Sequence, residues 1–274
     1  VEVRPTGGEA ELDEALGELD GRRLVAAGGD GTVHVILNRM HARGELGDLE
    51  LGLIPLGTGN DLARGVGIPL DPEGAAAIVL TGRRRAMDVL VDDRATVVAN
   101  AVHVGVGAEA ARAAKPWKAR LGKLGYLVGA ILAGFTSEGL HLRVEVDGRV
   151  LAEGRRRVLQ VGVSNGPNIG GGTQLAPEAD PGDAKADVTM SFAVRRRDRF
   201  LYGLHLKRGT HEDRHDVHTT RGTRVRLSGD EFWCNTDGEL DGPMRSRSWT
   251  LQAGAYRLLT PPAAEDSPGG GQPG

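Results

Sequence analysis

The sequence predicts an α/β unit over residues 1–88, followed by a mostly antiparallel β unit over 89–250. Three observations carry this. Strand and helix signals alternate up to about residue 80, and strand-like runs dominate after about residue 88. Two glycine-rich turns each join a buried strand to a helix, the layout found at the carboxyl edge of a parallel sheet. Residues 251–260 form a further strand that is a candidate to complete the first unit. Residues 261–274, rich in Pro, Gly and acid, read as a disordered tail.

In order, Val1 and its neighbours to Arg4 form a short extended piece. A helix follows over 9–19, with Leu12, Leu16 and Leu19 on one face. Residues 24–27 form a buried strand, and Val33, Ile36, Leu37 and Met40 then follow helical spacing. A second buried strand spans 51–56, with a short helix at about 62–66. A further helix runs to Leu80, with Asp71 as N-cap and Pro72 at its first position. This alternation implies parallel strands with right-handed crossovers. Strand signals then fall at 96–106, 142–150, 158–163, 188–194, 223–227 and 249–259. Asp147-Gly148 marks a two-residue hairpin. Helical stretches are expected over 117–135 and 199–207.

Of the 274 residues, 39% are hydrophobic and only 4% aromatic, so the core must rest on Val, Leu, Ile and Ala. The 42 glycines are mostly scattered, which implies many tight turns. A net charge of −3 offers no global basic field, so nucleic acid is not an expected partner. Cys234 is the only cysteine, which excludes an internal disulfide and fits a reducing cytoplasm. The longest apolar run, 124–135, falls short of the ~20 residues a spanning helix needs. The N-terminus has no signal-peptide pattern and no Met, so residues are expected upstream.

The two turns are Gly28-Gly29-Asp30-Gly31-Thr32 and Gly57-Thr58-Gly59-Asn60-Asp61. Glycine lets the backbone approach an anion closely. Successive N–H groups at a helix N-terminus then favour phosphate. A carboxylate at Asp30 would repel phosphates unless a cation intervenes, and Mg²⁺ suits carboxylate and phosphate oxygens. The competing reading is a pair of tight turns with Asp30 and Thr32 as helix caps. Neither turn is a Walker A loop, because no Gly-Lys-Ser/Thr follows.

Gly28-Gly29-Asp30-Gly31-Thr32 resembles the nucleotide signature shared by diacylglycerol, sphingosine and NAD kinases and phosphofructokinases. The run from Pro55 through Gly57, Thr58, Gly59, Asn60 and Asp61 to Arg64 resembles the second block of the lipid-kinase branch. Asn165-Gly166-Pro167-Asn168-Ile169-Gly170-Gly171-Gly172, then 176–183, resembles its third block, and Asp237-Gly238-Glu239 its fourth. The blocks stand in family order across residues 24–240. The resemblance implies a soluble lipid kinase of the diacylglycerol kinase family. Its nucleotide-binding α/β domain would precede a β-sandwich.

The resemblance also implies roles. Gly28, Gly29, Gly31 and Thr32 would hold ATP phosphates, with Asp30 at the catalytic Mg²⁺. Gly57, Thr58, Gly59 and Asn60 would complete the nucleotide cleft. Asp61, Arg64 and Asp88 would form a charged network supporting the metal. Glu239 would be the general base for the lipid hydroxyl; the competing reading is an exposed residue after an Asp-Gly turn. Asp183 would help to hold a structural Mg²⁺, although Ala184 replaces the glycine usual after it. Asn165 and Asn168 would shape a loop. The family's first strand, ending in Asn-Pro and Ser-Gly, is expected before the start of this chain. Its absence would leave an unpaired sheet edge, compatible with a homodimer. The lipid acceptor implies peripheral membrane contact from the cytoplasm, with the apolar segment 121–135 as core helix or cleft border. Two alternatives stand beside this reading: an NAD kinase, and a non-catalytic nucleotide- or lipid-binding module.

Two patterns are expected to be incidental. His211-Glu212-Asp213-Arg214-His215 matches H-E-x-x-H but lacks a helical, apolar setting. The triplets Arg83–Arg85, 155–157 and 195–197 read as solvated loop ends. They would meet an anionic membrane only if they shared one face, at ~1 kcal/mol per residue close to it.

Overall fold

The computed structural model describes residues 2–19, 21–106, 108 and 138–262. The expected helix over 117–135, its apolar segment and nearly all of the expected tail lie outside the described residues.

The first unit forms much as its periodicity dictates. Strands β1 (Leu24–Gly28) and β2 (Glu50–Pro55) pair in parallel, Leu24 facing Leu51 and Gly28 facing Pro55. Helix α1 (Glu9–Gly17) buries Leu16, and α2 (Asp30–Ala42) buries Val33, Ile36, Leu37 and Met40. After the short α3 (Asp61–Gly65), helix α4 (Pro72–Thr81) starts where the Asp71 carboxylate accepts the Gly74 N–H at 2.7 Å. Strand β3 (Arg83–Asp92) follows directly. The first arginine triplet therefore opens a strand rather than ending a loop, paired with residues 258–260.

The second unit is built from β4 (Val97–Val98), β5 (Ala101–Gly105), β6 (Leu142–Val146), β7 (Arg149–Glu153) and β8 (Gln160–Ser164). A small ribbon of β9 (Asn168–Ile169) and β10 (Thr173–Gln174) precedes β11 (Ala186–Ser191). Helix α5 (Arg196–Arg208), β12 (Val217–Gly222), β13 (Arg224–Thr236) and β14 (Glu239–Thr260) complete it. The triplet 195–197 thus starts a helix. The hairpin between β6 and β7 turns on Asp147 and Gly148, both at positive φ, as their sequence requires.

Pairing is continuous in the order β1-β2-β14-β13-β5-β8-β11-β12, with β3 and β4 attached to β14, and β6 and β7 to β13. Strand β14 belongs to both halves. Its first part pairs antiparallel with β13, while Arg257 and Leu258 pair in parallel with Glu50 and Leu51 of β2. Two cores result. One gathers α2, β2, Met87, Val89, Tyr256 and Leu258. The other gathers Val102, Val104, Val144, Val161, Val188, Leu227, Phe232 and Trp249. No helix among the described residues is long and apolar enough to cross a membrane.

Candidate active site

The two glycine-rich turns lie side by side because β1 and β2 are neighbours. The Gly28 carbonyl accepts the Leu56 N–H at 2.9 Å, carrying the pairing one residue past the strands. A Cβ on Gly29 would stand 2.8 Å from the Gly57 Cα, so the two backbones touch where a side chain would separate them. Asn60, at φ 53°, closes the second turn by exchanging two hydrogen bonds of 2.9 Å with the Gly57 backbone. Gly31, Thr32 and Thr58 remain exposed.

Asp30 is the first residue of α2 and half-buried. Burial raises its carboxyl above the ordinary range, and the neighbouring Asp61 charge adds to this, while the Leu62 N–H opposes it. That N–H reaches Asp30 Oδ1 at 3.2 Å. A Cβ on Gly59 would lie 2.8 Å from Asp30 Oδ2 and 3.4 Å from Asp61 Oδ2, so two carboxylates flank one glycine. This excess of negative charge fits a cation. No cluster of three or more His, Cys, Asp or Glu donors suited to a metal occurs among the described residues. Mg²⁺ needs none, since it is usually bound by one or two carboxylates together with phosphate and water oxygens.

Asp61, Arg64 and Asp88 do not meet as a network. Asp61 is buried and accepts the N–H groups of Gly171 and Gly172 at 2.7–3.0 Å. It thereby fastens the third sequence block over the second. Arg64 is exposed and donates to the Gly59 carbonyl at 3.0 Å. Asp88, 2% exposed, accepts from Ala184 N–H at 2.7 Å and Gly254 N–H at 2.8 Å. It ties β3 to the 181–184 turn and to the bend in β14. No ion pair joins Arg64 to either aspartate among the described residues.

The fourth block adds the other half of the site. Asp237 accepts from Ala99 N–H at 2.7 Å, Asn100 N–H at 3.0 Å and Ala101 N–H at 3.1 Å. These bonds hold residues 99 and 100 out of the ladder, so the single strand expected over 96–106 is split into β4 and β5. The fourth partner of Asp237 is His34 Nδ1 at 3.3 Å, from α2. Burial lowers the His34 pKa, but the Asp237 hydrogen bond and the attraction of Asp237 and Glu239 outweigh it, and the net shift is upward. Glu239 begins β14 with its side chain exposed. One helix thus carries Asp30 at its first turn and reaches the Asp237–Glu239 turn one helical turn later. His34 had no signal of its own in the sequence beyond its place four residues after Asp30.

Asp183 accepts the Lys185 N–H at 3.0 Å and pairs with Arg221. Asp187 and Glu212 lie in the same acidic neighbourhood, and burial, reinforced by nearby carboxylates, raises both. Asn165 is fully buried and donates to the carbonyls of Asp88 and Ala99 at 2.9 and 2.7 Å, while the Asn168 carbonyl accepts from Asn100. Both shape the loop. His211 is buried in a short 3-10 turn (His211–Asp213), its Nε2 2.9 Å from the Leu175 carbonyl and its ring edge-on to Tyr202. The zinc pattern is therefore a structural histidine in a non-helical setting. A cleft of about 500 Å³ between β7 and β12, lined by Arg149, Arg156, Met190, Phe192 and His218, contains none of the expected site residues.

Comparison with known proteins gives a consistent picture. The family model for the diacylglycerol kinase catalytic domain matches residues 1–91. That for the YegS C-terminal NAD kinase beta sandwich-like domain matches residues 100–260. A protein of Stenotrophomonas maltophilia named "Probable lipid kinase YegS-like" is 31% identical over 95% of this chain and 87% of its own length. A diacylglycerol kinase of Mycobacterium tuberculosis is 28% identical over 87% of this chain and 76% of its own. Among solved structures, a diacylglycerol kinase from Bacillus anthracis matches with a TM-score of 0.73 at 22% identity, covering 94% of this chain and 85% of that one. That likeness establishes the fold.

Proposed function

The chain belongs to the lipid kinases of the diacylglycerol kinase family, and we propose that it transfers the γ-phosphoryl group of ATP to the hydroxyl of a lipid such as diacylglycerol. The observation that carries this is the sharing of α2 between two chemically different ends of one site. Its N-terminus holds the glycine turn and Asp30, and its second turn touches the Asp237–Glu239 turn through His34.

Phosphoryl transfer depends mainly on positioning and on neutralising charge. In this reading the N–H groups of Gly29 and Gly31 and the exposed Thr32 side chain, with the Gly57–Asn60 turn, receive the phosphates. Asp30, with its carboxyl raised by burial, would hold Mg²⁺, which when bound supplies positive charge against the phosphates. Glu239, exposed at the start of β14, accepts the proton of the lipid hydroxyl. Asp237 fixes the backbone that presents Glu239, and Asp61 holds the 170–172 loop over the nucleotide turn.

The test is ATP-dependent phosphate transfer with Mg²⁺ to a panel of lipid alcohols and to NAD, using the chain and its Asp30→Asn and Glu239→Gln variants. Transfer to one lipid, lost in both variants, supports the proposal and names the acceptor. Transfer to NAD alone, or ATP binding without transfer to any acceptor, would replace it.

A further inference from the structure

Helix α5 lies outside the site just described and carries an unusual face. It buries Tyr202 and packs Leu206 against the same small core. At 3.6 residues per turn, the direction opposite these two is occupied by Leu204, flanked by Phe200 and Leu201. These three are the exposed ones: Phe200 at 66%, Leu201 at 42% and Leu204 at 37%. Arg196 and Arg197 project in the same outward arc at one end of the helix, and Lys207 and Arg208 at the other. All four are exposed, and none forms an ion pair among the described residues. The only acid on the helix, Asp198, falls off this arc.

The surface extends beyond the helix. A Cβ on Gly139 would touch both Val194, just before α5, and the Arg157 Cβ, at 2.8 and 3.4 Å. The 155–157 triplet therefore runs beside the start of α5, with Arg156 lying over the Phe192 ring at 4.6 Å. Arg155 pairs with Glu153 and Arg157 with Glu138, and two arginines of the first triplet are likewise neutralised. Arg84 and Arg85 are paired with Glu50 and Asp180. In a chain of net charge −3, the α5 face is thus a local cationic surface with an apolar centre.

We propose that the outward face of α5 docks the protein onto an anionic phospholipid bilayer. Phe200, Leu201 and Leu204 enter the boundary between headgroups and acyl chains, while Arg196, Arg197, Lys207 and Arg208 stay level with the lipid phosphates. The charge pattern argues against a second copy, because a two-fold pairing through this face would set its cations against one another. A water-soluble anion would use the charges but leave the three apolar side chains in water. The inference deepens the lipid-kinase reading, since a bilayer is where such an acceptor resides. Its test does not depend on that reading.

The experiment is flotation of the full chain, without nucleotide, on vesicles of phosphatidylcholine alone or mixed with phosphatidylglycerol. Binding is expected on the anionic vesicles and should weaken with salt. Arg196→Gln/Arg197→Gln should lower the partition about 30-fold, the equivalent of two cations at about 1 kcal/mol each. Phe200→Ser/Leu204→Ser should also release the protein, whereas Arg196→Lys/Arg197→Lys should retain it. Unchanged circular dichroism confirms that each variant is folded. Equal partition of wild type and variants, equal binding to neutral vesicles, or a lipid-free dimer that Leu204→Glu dissociates would each overturn the proposal. Docking without phosphate transfer would instead count against the kinase reading and leave the docking face standing.

Discussion

Asp237 and Asp30 both precede a glycine in a turn, and both belong to the surroundings of α2. Their carboxylates are treated very differently. Asp237 receives three backbone N–H groups and the His34 ring, and its side chain is 2% exposed. Asp30 receives the Leu62 N–H at 3.2 Å and keeps Oδ2 beside Gly59 and the Asp61 carboxylate. A carboxylate saturated by fixed donors holds the chain in place and has little left for a ligand. One raised by burial and crowded by a second negative charge gains most from an incoming cation. The difference separates residues that maintain the fold from residues available for chemistry, although both kinds sit in Asp-Gly pairs within short sequence blocks.

That separation can be broken in several ways. The largest effect is expected at Glu239, where Gln should cost ~10²–10⁴-fold in turnover with no change in melting temperature, because the side chain is exposed. Asp30→Asn should cost ~10²–10³-fold in turnover, again with the melting temperature kept or slightly raised. Asp237→Ala should act in the opposite sense. Stripping four donors of their acceptor should destabilise by about 3–5 kcal/mol in denaturant unfolding, and any loss of activity should follow the loss of fold. If Asp237→Ala unfolds like wild type, the comparison fails. Asp61→Asn weakens the hold on Gly171 and Gly172 by about 1–2 kcal/mol and should appear first as faster proteolysis around 170–172.

The smallest effect is a pH dependence. The His34 pKa is raised in the folded state. Such a group contributes stability that is fully present below its unfolded value, about 6.5, and lost as pH rises through the folded value. Wild type should therefore lead His34→Gln most at about pH 6, and the lead should shrink towards about pH 8.5, as read by melting temperature. His103, which burial pushes down to about 4, works the other way but is common to both proteins.

Local pattern was enough for some of this structure. Val33, Ile36, Leu37 and Met40 announce α2, and Asp147-Gly148 announces the β6–β7 hairpin, because neighbours in sequence decide both. Strand β3 was not legible: Arg83, Arg84 and Arg85 read as a solvated end until β14 supplies residues 258–260 as their ladder partner. The same limit applies to the site. The glycines and Asp30 carry their chemistry in their own spacing. His34 gains meaning only from Asp237, 203 residues away. Asp61 gains it only from backbone N–H groups 110 and 111 residues away, which no side-chain pattern reveals. The two remaining arginine triplets read alike, yet one starts an amphipathic helix and the other lines a loop beside it.

Strand β14 has a consequence for the birth of the molecule. Its Arg257 and Leu258 are the partners of Glu50 and Leu51. At ~5–20 residues per second, a ribosome that has made β2 needs roughly 10–40 s more to make those partners. Throughout that interval one side of β2 has no strand beside it, however well β1 and α2 have formed. The α/β half is started before its last strand is made, and its exposed edge during synthesis is a natural point for a chaperone to act.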